Sequence, residues 1–392
     1  MTATISASLG AGLVLAKPGG SRLLLLNPTA TWLWQAQRIG LSVAEMARAL
    51  AEQSGVKVET LTTDVMWLVA QWQGDGWLAP QVLGAIPPAP PALPAIAPPI
   101  CWPLSAPVQS LRLGDTHIRL RIDDAGLARW LDDFTSPLTH HPSTTSAPGV
   151  HVEGDADAWQ VLINGARNAD GRGWEAALIA TLNALIEVAS RAEERLLVVH
   201  GAGLALPDGR GLLLVAPGGS GKTTLAAALN AEGLTFLNDD VVPVNWDGSL
   251  VGLKIPICLK PGSWPVLASR RPELAGMPEM ARFGQQVRYL PPRGDGVASA
   301  RAPVLLLFPQ YQPDATSRLQ PLDPAAALQA LVEAEAIIRG LTQPKLERLV
   351  QWIGAAPAFA LSYPDLESGL DLVKAAISVA TSGSGNAELR PV

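Results

Sequence analysis

The hydrophobic positions of this chain change their period several times, and each change marks an element. Two short apolar runs, Leu13 to Ala16 and Arg22 to Leu26, are separated by Pro18-Gly19-Gly20, which predicts a β-hairpin. Helices are predicted over Thr29 to Arg38, from Ser42 to about Gly55, and from Glu59 to Gln73. In the third, Leu61, Val65, Leu68 and Trp72 recur at helical spacing. Ser42-Val43-Ala44-Glu45 has the form of a capping box: the serine oxygen takes a free amide of the first turn, and Glu45 reaches back. Gly74 and Gly76 stop the third helix, and Trp77-Leu78 opens a short strand. Two strands followed by three helices describe a small winged-helix-like α+β module, placed at residues 1–85.

The larger part reads differently. Strands are predicted at Val108 to Leu113, His117 to Ile122, Leu196 to Val199, Gly211 to Ala216, Thr235 to Leu237, Val304 to Phe308 and Phe359 to Tyr363. Helices are predicted at Ala176 to Ala189, Thr223 to Ala231, Pro324 to Arg339, Gln343 to Ile353 and Asp365 to Ala380. This alternation predicts an α/β domain over residues 108–380. Residues 254–301 read as irregular. Between the two parts lies IPPAPPALPAIAPPICWPLSAP (residues 86–107), uncharged and dense in proline. Proline lacks the amide donor and favours extended chain, so a semi-rigid linker is expected there. Residues 381–392 read as a mobile tail.

Composition narrows the possibilities. The 392 residues are 48% hydrophobic and 16% charged, which fits folded domains. A net charge of −6 provides no global attraction to nucleic acid or anionic membranes. Two cysteines, Cys101 and Cys258, exclude a disulfide framework and a multi-cysteine zinc site. No apolar run approaches the ~20 residues needed to span a bilayer, and no signal peptide is evident, so the expected compartment is the cytoplasm.

The strongest chemical signal is Ala216-Pro-Gly-Gly-Ser-Gly-Lys-Thr223, set between an apolar strand and an apolar helix. A phosphate loop of the Walker A kind needs glycines so that backbone amides can face phosphate oxygens. Gly218, Gly219 and Gly221 meet that need, and Ser220 and Thr224 complete the cradle. Lys222 would reach the β- and γ-phosphates of ATP, and the Thr223 hydroxyl would ligate magnesium. The first position is alanine where the pattern has glycine, which adds only a methyl group at a strand end.

Asp239-Asp240 follows a strand seventeen residues after Lys222. One carboxylate would serve the metal and the other would accept a proton from an attacking hydroxyl. His200-Gly201 ends the strand preceding the loop, and a histidine there could assist proton transfer or bind phosphate, or be structural. His140-His141 sits among prolines and serines and lacks companions for a metal site. Residues 254–301 gather Lys254, Lys260, Arg270, Arg271, Arg282, Arg288, Arg293 and Arg301, a phosphate clamp or a solvated surface.

VVHGAGLALPDGRGLLLVAPGGSGKTTLAAALNAEGLTFLNDDVVPV resembles the core of the HPr serine kinase/phosphorylase family: His-Gly, a hairpin, the phosphate loop, a helix ending in glycine, and Asp-Asp. The resemblance extends through ICLKPGSWP, VRYLPP and LLFPQYQPDA to the HPr-kinase-related proteins found beside peptide-modifying systems. It implies an α/β kinase domain of HPr kinase/phosphoenolpyruvate carboxykinase type that uses ATP and magnesium. It also implies Asp239 as the base toward the acceptor hydroxyl, supported by His200, with Lys222 catalytic and Asp240 on the metal side. Related kinases assemble, which leaves a homo-oligomer open. The arginine-rich C-terminal signature of the bifunctional HPr enzymes is missing, which argues against the reverse reaction and against HPr as substrate.

LLLNPTATWLWQAQRIG, LSVAEMARALAEQSGV and VETLTTDVMWLVAQWQGDGWL are similar to the PqqD family, whose domains recognise leader peptides of ribosomally made, modified peptides. The resemblance implies a leader added to the hairpin edge, with its side chains in a groove made by Leu24, Leu26, Val65, Leu68 and Trp72. The tryptophans, Trp67 included, would divide between that groove and the core. DNA binding is disfavoured: residues 58–86 contain no lysine or arginine, and Glu59, Asp64 and Asp75 are present. The expectation is a serine/threonine kinase acting on a precursor peptide captured by its leader. A kinase for a small molecule or carrier protein, and a nucleotide-gated peptide chaperone, are the alternatives.

Overall fold

The computed structural model describes residues 4–78, 108–135, 147–191, 194–294 and 299–382. The expected proline-rich linker at 86–107, His140-His141, Cys101 and the tail beyond residue 382 lie outside the described residues. The chain groups into two compact units, Met1–Pro94 with Ile338–Gly354, and Ala95–Ile337 with Ala355–Val392.

In the first unit, β1 (Ile5–Leu9), β2 (Gly12–Ala16) and β3 (Leu23–Leu26) form an antiparallel sheet in that order. Three helices follow: α1 (Pro28–Arg38), α2 (Val43–Ser54) and α3 (Val58–Gly74). Asn27 caps α1 by accepting from the Ala30 amide at 2.8 Å. The capping box of α2 forms as expected: Glu45 N donates to Ser42 Oγ at 3.3 Å, and Ser42 N donates to Glu45 Oε2 at 2.7 Å. Gly55 then ends α2 in the left-handed region at φ 72°. Leu15, Leu33, Met46 and Val65 pack around Trp34 and Trp72, which meet edge to face at 5.4 Å. The strand expected at Trp77-Leu78 does not form. Both amides donate instead to the Trp72 carbonyl, at 2.7 and 3.0 Å, and both side chains fold into the core.

The second unit opens with a five-stranded sheet ordered β4 (Gln109–Leu113), β5 (Thr116–Ile122), β6 (Gly149–Gly154), β7 (Trp159–Ile163) and β8 (Ala166–Gly171). The helices α4 (Ala125–Thr135) and α5 (Trp174–Ser190) accompany it, and α5 buries Leu178, Leu182 and Leu185 against the sheet. Next come β9 (Leu197–Val199), β10 (Gly201–Ala205), β11 (Arg210–Val215), α6 (Lys222–Ala231), β12 (Thr235–Asp239), β13 (Val242–Val244) and β14 (Leu250–Val251). The stretch expected to be irregular contains β15 (Ile257–Leu259), α7 (Trp264–Leu267), β16 (Met280–Arg282) and β17 (Gln285–Leu290), with its strands joined in the order β15-β17-β16. The chain ends with β18 (Ser299–Tyr311), β19 (Arg318–Pro321), α8 (Pro324–Glu333), α9 (Gln343–Ala355), β20 (Ala358–Tyr363) and α10 (Leu366–Thr381).

The main sheet runs β12-β10-β11-β18-β14-β13-β9, with β20 beside β18 and β19 beside β20. The pairs β11–β18 and β18–β20 are parallel, so the carboxyl ends of β11, β18 and β20 lie on one side. Such an edge is where open α/β sheets place their ligands. Leu225 and Leu229 of α6 and Leu370 and Val373 of α10 share one core with Leu212, Leu214, Leu305 and Leu307 of the sheet. Residues 338–354 group with the first unit rather than with the α/β stretch 108–380 in which the sequence places them. The reason is local: Gly19 N donates to Leu341 O at 2.7 Å, and Gln343 Nε2 donates to Ser6 O at 2.8 Å.

Candidate functional site

The glycine-rich loop expected to hold phosphate connects β11 to α6. Gly219 and Gly221 sit at φ 84° and 87°, where a side chain would be strained. Gly221 is the N-cap of α6 and supplies no side-chain cap, so the first amides of the helix are left for a ligand. Gly218 serves differently: a Cβ there would meet nothing within 4 Å, so its surroundings are open. Lys222 is 5% exposed, and its Nζ donates to Pro217 O at 3.3 Å. Burial lowers the pKa of its ammonium, against the opposing pull of Asp239 and Asp240. Thr224 Oγ1 and Ser263 Oγ are 2.6 Å apart.

His200 occupies the step between β9, which pairs with β13, and β10, which pairs with β11. A Cβ on Gly201 would lie 2.5 Å from Leu214 O, so glycine is needed for β10 to lie against β11. That step brings His200 Nε2 to 3.3 Å from Lys222 Nζ. This polar contact of His200 is with the lysine, where the resemblance implied support for Asp239.

Asp239 ends β12, and Asp240 follows at φ 67°, a left-handed conformation that aspartate tolerates better than most residues. Thr223 Oγ1 donates to Asp239 Oδ1 at 3.2 Å. Arg282 Nη1 donates to Asp240 Oδ2 at 2.9 Å. The hydroxyl expected on magnesium thus touches Asp239, the residue expected as the base, while Asp240 is held by Arg282. Burial, and then the charge of Asp240, push the Asp239 pKa up to about 7. Three buried polar atoms around the loop have no partner: Ser220 Oγ, Asp239 Oδ2 and Tyr363 Oη. Unpaired buried polar atoms are costly, and a ligand at the loop could complete them.

Tyr363 lines a cavity of about 900 Å³, together with His200, Lys222, Thr223 and Asp240. Burial pushes the Tyr363 pKa up to about 12, which keeps its hydroxyl a donor at neutral pH. Tyr363 had no sequence signal; only its place at the end of β20, with Oη 3.4 Å from a Cβ built on Gly221, brings it to the loop. Of the basic residues in 254–301, Lys260 and Arg282 line this cavity. The others that bond are structural: Arg271 donates to Asn230 and Pro291 O, Arg288 lies over Trp264, and Arg270 and Arg293 pair with glutamates.

No group of three or more His, Cys, Asp or Glu that could hold a metal alone occurs among the described residues. Magnesium fits nonetheless, because it is commonly bound by one or two protein oxygens plus substrate phosphates. Thr223 Oγ1 and the unpartnered Asp239 Oδ2 are such oxygens.

In the first unit, Leu26, Val65 and Trp72 are 5%, 2% and 3% exposed. They are core, which corrects their expected place in a peptide groove. Leu24 and Leu68 are partly buried against that core. Trp67 and Met66 of α3 are 65% and 55% exposed. Trp72 thus belongs to the core, and Trp67 lies on the surface.

Residues 12–78 match the family model described as Coenzyme PQQ synthesis protein D (PqqD), so the first unit carries a PqqD domain. The solved structures similar to the chain include the Hpr(Ser) kinase/phosphatase from Coxiella burnetii, at 12% identity and a TM-score of 0.23, covering 47% of this chain and 96% of that one. No curated protein matches. The chain thus joins a PqqD domain to an α/β unit. No helix among the described residues is long and apolar enough to cross a membrane.

Proposed function

We propose that this protein is an ATP-dependent kinase of a ribosomally made precursor peptide, whose leader is captured by the PqqD domain. The observation that carries the reading is the convergence of Ser220 Oγ, Asp239 Oδ2 and Tyr363 Oη on a glycine loop that precedes an uncapped helix. Ser220, Tyr363, the loop amides of Gly218, Gly219 and Gly221, and Lys222 suit the phosphates of a nucleotide, and Asp239 suits the cation that accompanies them. Thr224, bonded to Ser263, lies one step further along α6.

In this reading Thr223 and Asp239 would hold magnesium, which would supply charge neutralisation for the transferred phosphoryl group. Lys222, kept beside His200, contacts the terminal phosphates. Asp240 takes the proton of the acceptor serine or threonine hydroxyl through Oδ1, while Arg282 holds Oδ2 and so orients the carboxylate. The leader adds to the β3 edge, with Leu24, Leu68 and the exposed Trp67 meeting its side chains. Tethering raises the local concentration of the acceptor to roughly millimolar, so the active site need bind it only weakly.

The test is phosphate transfer from MgATP to candidate precursor peptides, read by mass spectrometry. Lys222→Ala should abolish it, and excess free leader should slow it in proportion to leader binding. Transfer indifferent to free leader would favour a small-molecule or carrier kinase. ATP binding without transfer to any peptide would favour a chaperone. Deleting residues 1–85 is a poor control, because it also removes the partners of Leu341 and Gln343.

A further inference from the structure

The hairpin between β16 and β17 turns through Phe283 and Gly284, at φ 48° and 75°. Two left-handed positions in a two-residue turn favour Asn-Gly or Gly-Gly, and a bulky aromatic in the first is a conformational outlier. Phe283 is also 79% exposed, so packing does not account for it. Yet it lies in the wall of the cavity that holds the phosphate loop. Strain retained at the rim of a site is a signature of use.

Thr224 meets Ser263, and Val266 and Leu366 also line the cavity. Asp240, Arg282, Phe283 and Gln285 line it too, and Arg282 ties the hairpin to Asp240 at 2.9 Å. An acceptor hydroxyl that gives its proton to Asp240 therefore comes beside this hairpin. Arg282 is engaged by Asp240, and its guanidinium lies 5.5 Å from the Phe283 ring centre. What this hairpin offers an incoming chain is therefore an aromatic face rather than a free cation.

We infer that the Phe283 hairpin tip is a specificity subsite that receives an apolar or aromatic side chain beside the acceptor serine or threonine. The inference rests on the kinase reading. It narrows the substrate to a peptide segment in which the acceptor has such a neighbour.

The test uses the full chain and a precursor peptide with each residue flanking the acceptor changed in turn to Gly, Glu, Leu or Phe. Leader and nucleotide are held constant, and kcat/KM is compared within the series. At one flanking position Leu or Phe should exceed Gly about tenfold, the scale of one apolar contact. In Phe283→Asn, which suits the turn, that ratio should shrink to about twofold, with the MgATP Kd unchanged and the melting temperature no lower. Phe283→Trp should keep the preference. A wild type without flank preference, or a preference that survives Phe283→Asn, overturns the inference and leaves the kinase reading intact. If no peptide accepts phosphate while MgATP binds, the kinase reading falls and the inference falls with it.

Discussion

Asp239→Asn should stabilise the ligand-free protein at alkaline pH while ending its response to magnesium nucleotide. Asp239 titrates near 7 in the folded chain, pushed there by burial and by Asp240. An aspartate in an unfolded chain titrates near 3.9. Between those values the folded state holds a proton that the unfolded state has released. Stability then falls as pH rises, by about 1.4 kcal/mol per unit for the one group. From pH 5 to pH 8 the wild type should lose at most roughly 3 kcal/mol through Asp239, and the asparagine variant should not. At about 2 °C per kcal/mol for a unit of this size, the variant's melting temperature should gain about 6 °C on wild type between the two pH values. Calorimetry with chelator and without nucleotide reads this directly. A difference that stays flat across that range, or shrinks as pH rises, would refute the claim that this carboxylate is buried without its ligand.

Asp240→Asn should lower kcat about 10²- to 10⁴-fold while MgATP affinity stays within a few-fold, measured by steady-state kinetics and titration calorimetry. Tyr363→Phe removes a hydroxyl that has no partner in the ligand-free chain, so thermal stability should hold or rise slightly. The same variant should weaken MgATP binding about three- to tenfold, the worth of one hydrogen bond. Ser42→Ala opens the capping box and should cost about 1 kcal/mol in denaturant unfolding of the first unit, with nucleotide binding unmoved.

The parts legible in the sequence are those set by local chemistry. Asn27, Ser42 and Gly55 cap their helices as their side chains or lack of one dictate. The glycine loop reads directly because its glycines answer to backbone dihedrals: Gly219 and Gly221 take positive φ. What escaped depended on distant pairing. β1 reads as alternating small residues and acquires its identity only by pairing with β2. β10 was hidden because Gly201 and Gly203 look like loop, although a glycine at 201 is needed for close strand approach. Residues 254–301 appeared irregular because their strands are three to six residues long and interrupted by prolines. Lys222, Thr223, Asp239, Asp240 and His200 stand together in the structure, and their mutual pairing is not legible in their spacing. Which aspartate meets Thr223 depends on the φ 67° turn at Asp240, a detail that spacing alone does not carry. In the first unit, helical spacing marked Val65 and Trp72 as one apolar face, and that face turned out to be the core. The exposed Trp67 and Met66 sit off that stripe.

The central claim, transfer of phosphate from ATP to a peptide hydroxyl, is tested most directly by counting both products of one reaction. Full-length protein, MgATP and a leader-bearing precursor peptide are incubated together, and ADP and phosphopeptide are quantified from the same samples. A kinase of the kind proposed gives one phosphopeptide for each ADP, with both absent in Lys222→Ala. ADP formed without phosphopeptide, or peptide bound with neither product, would contradict it.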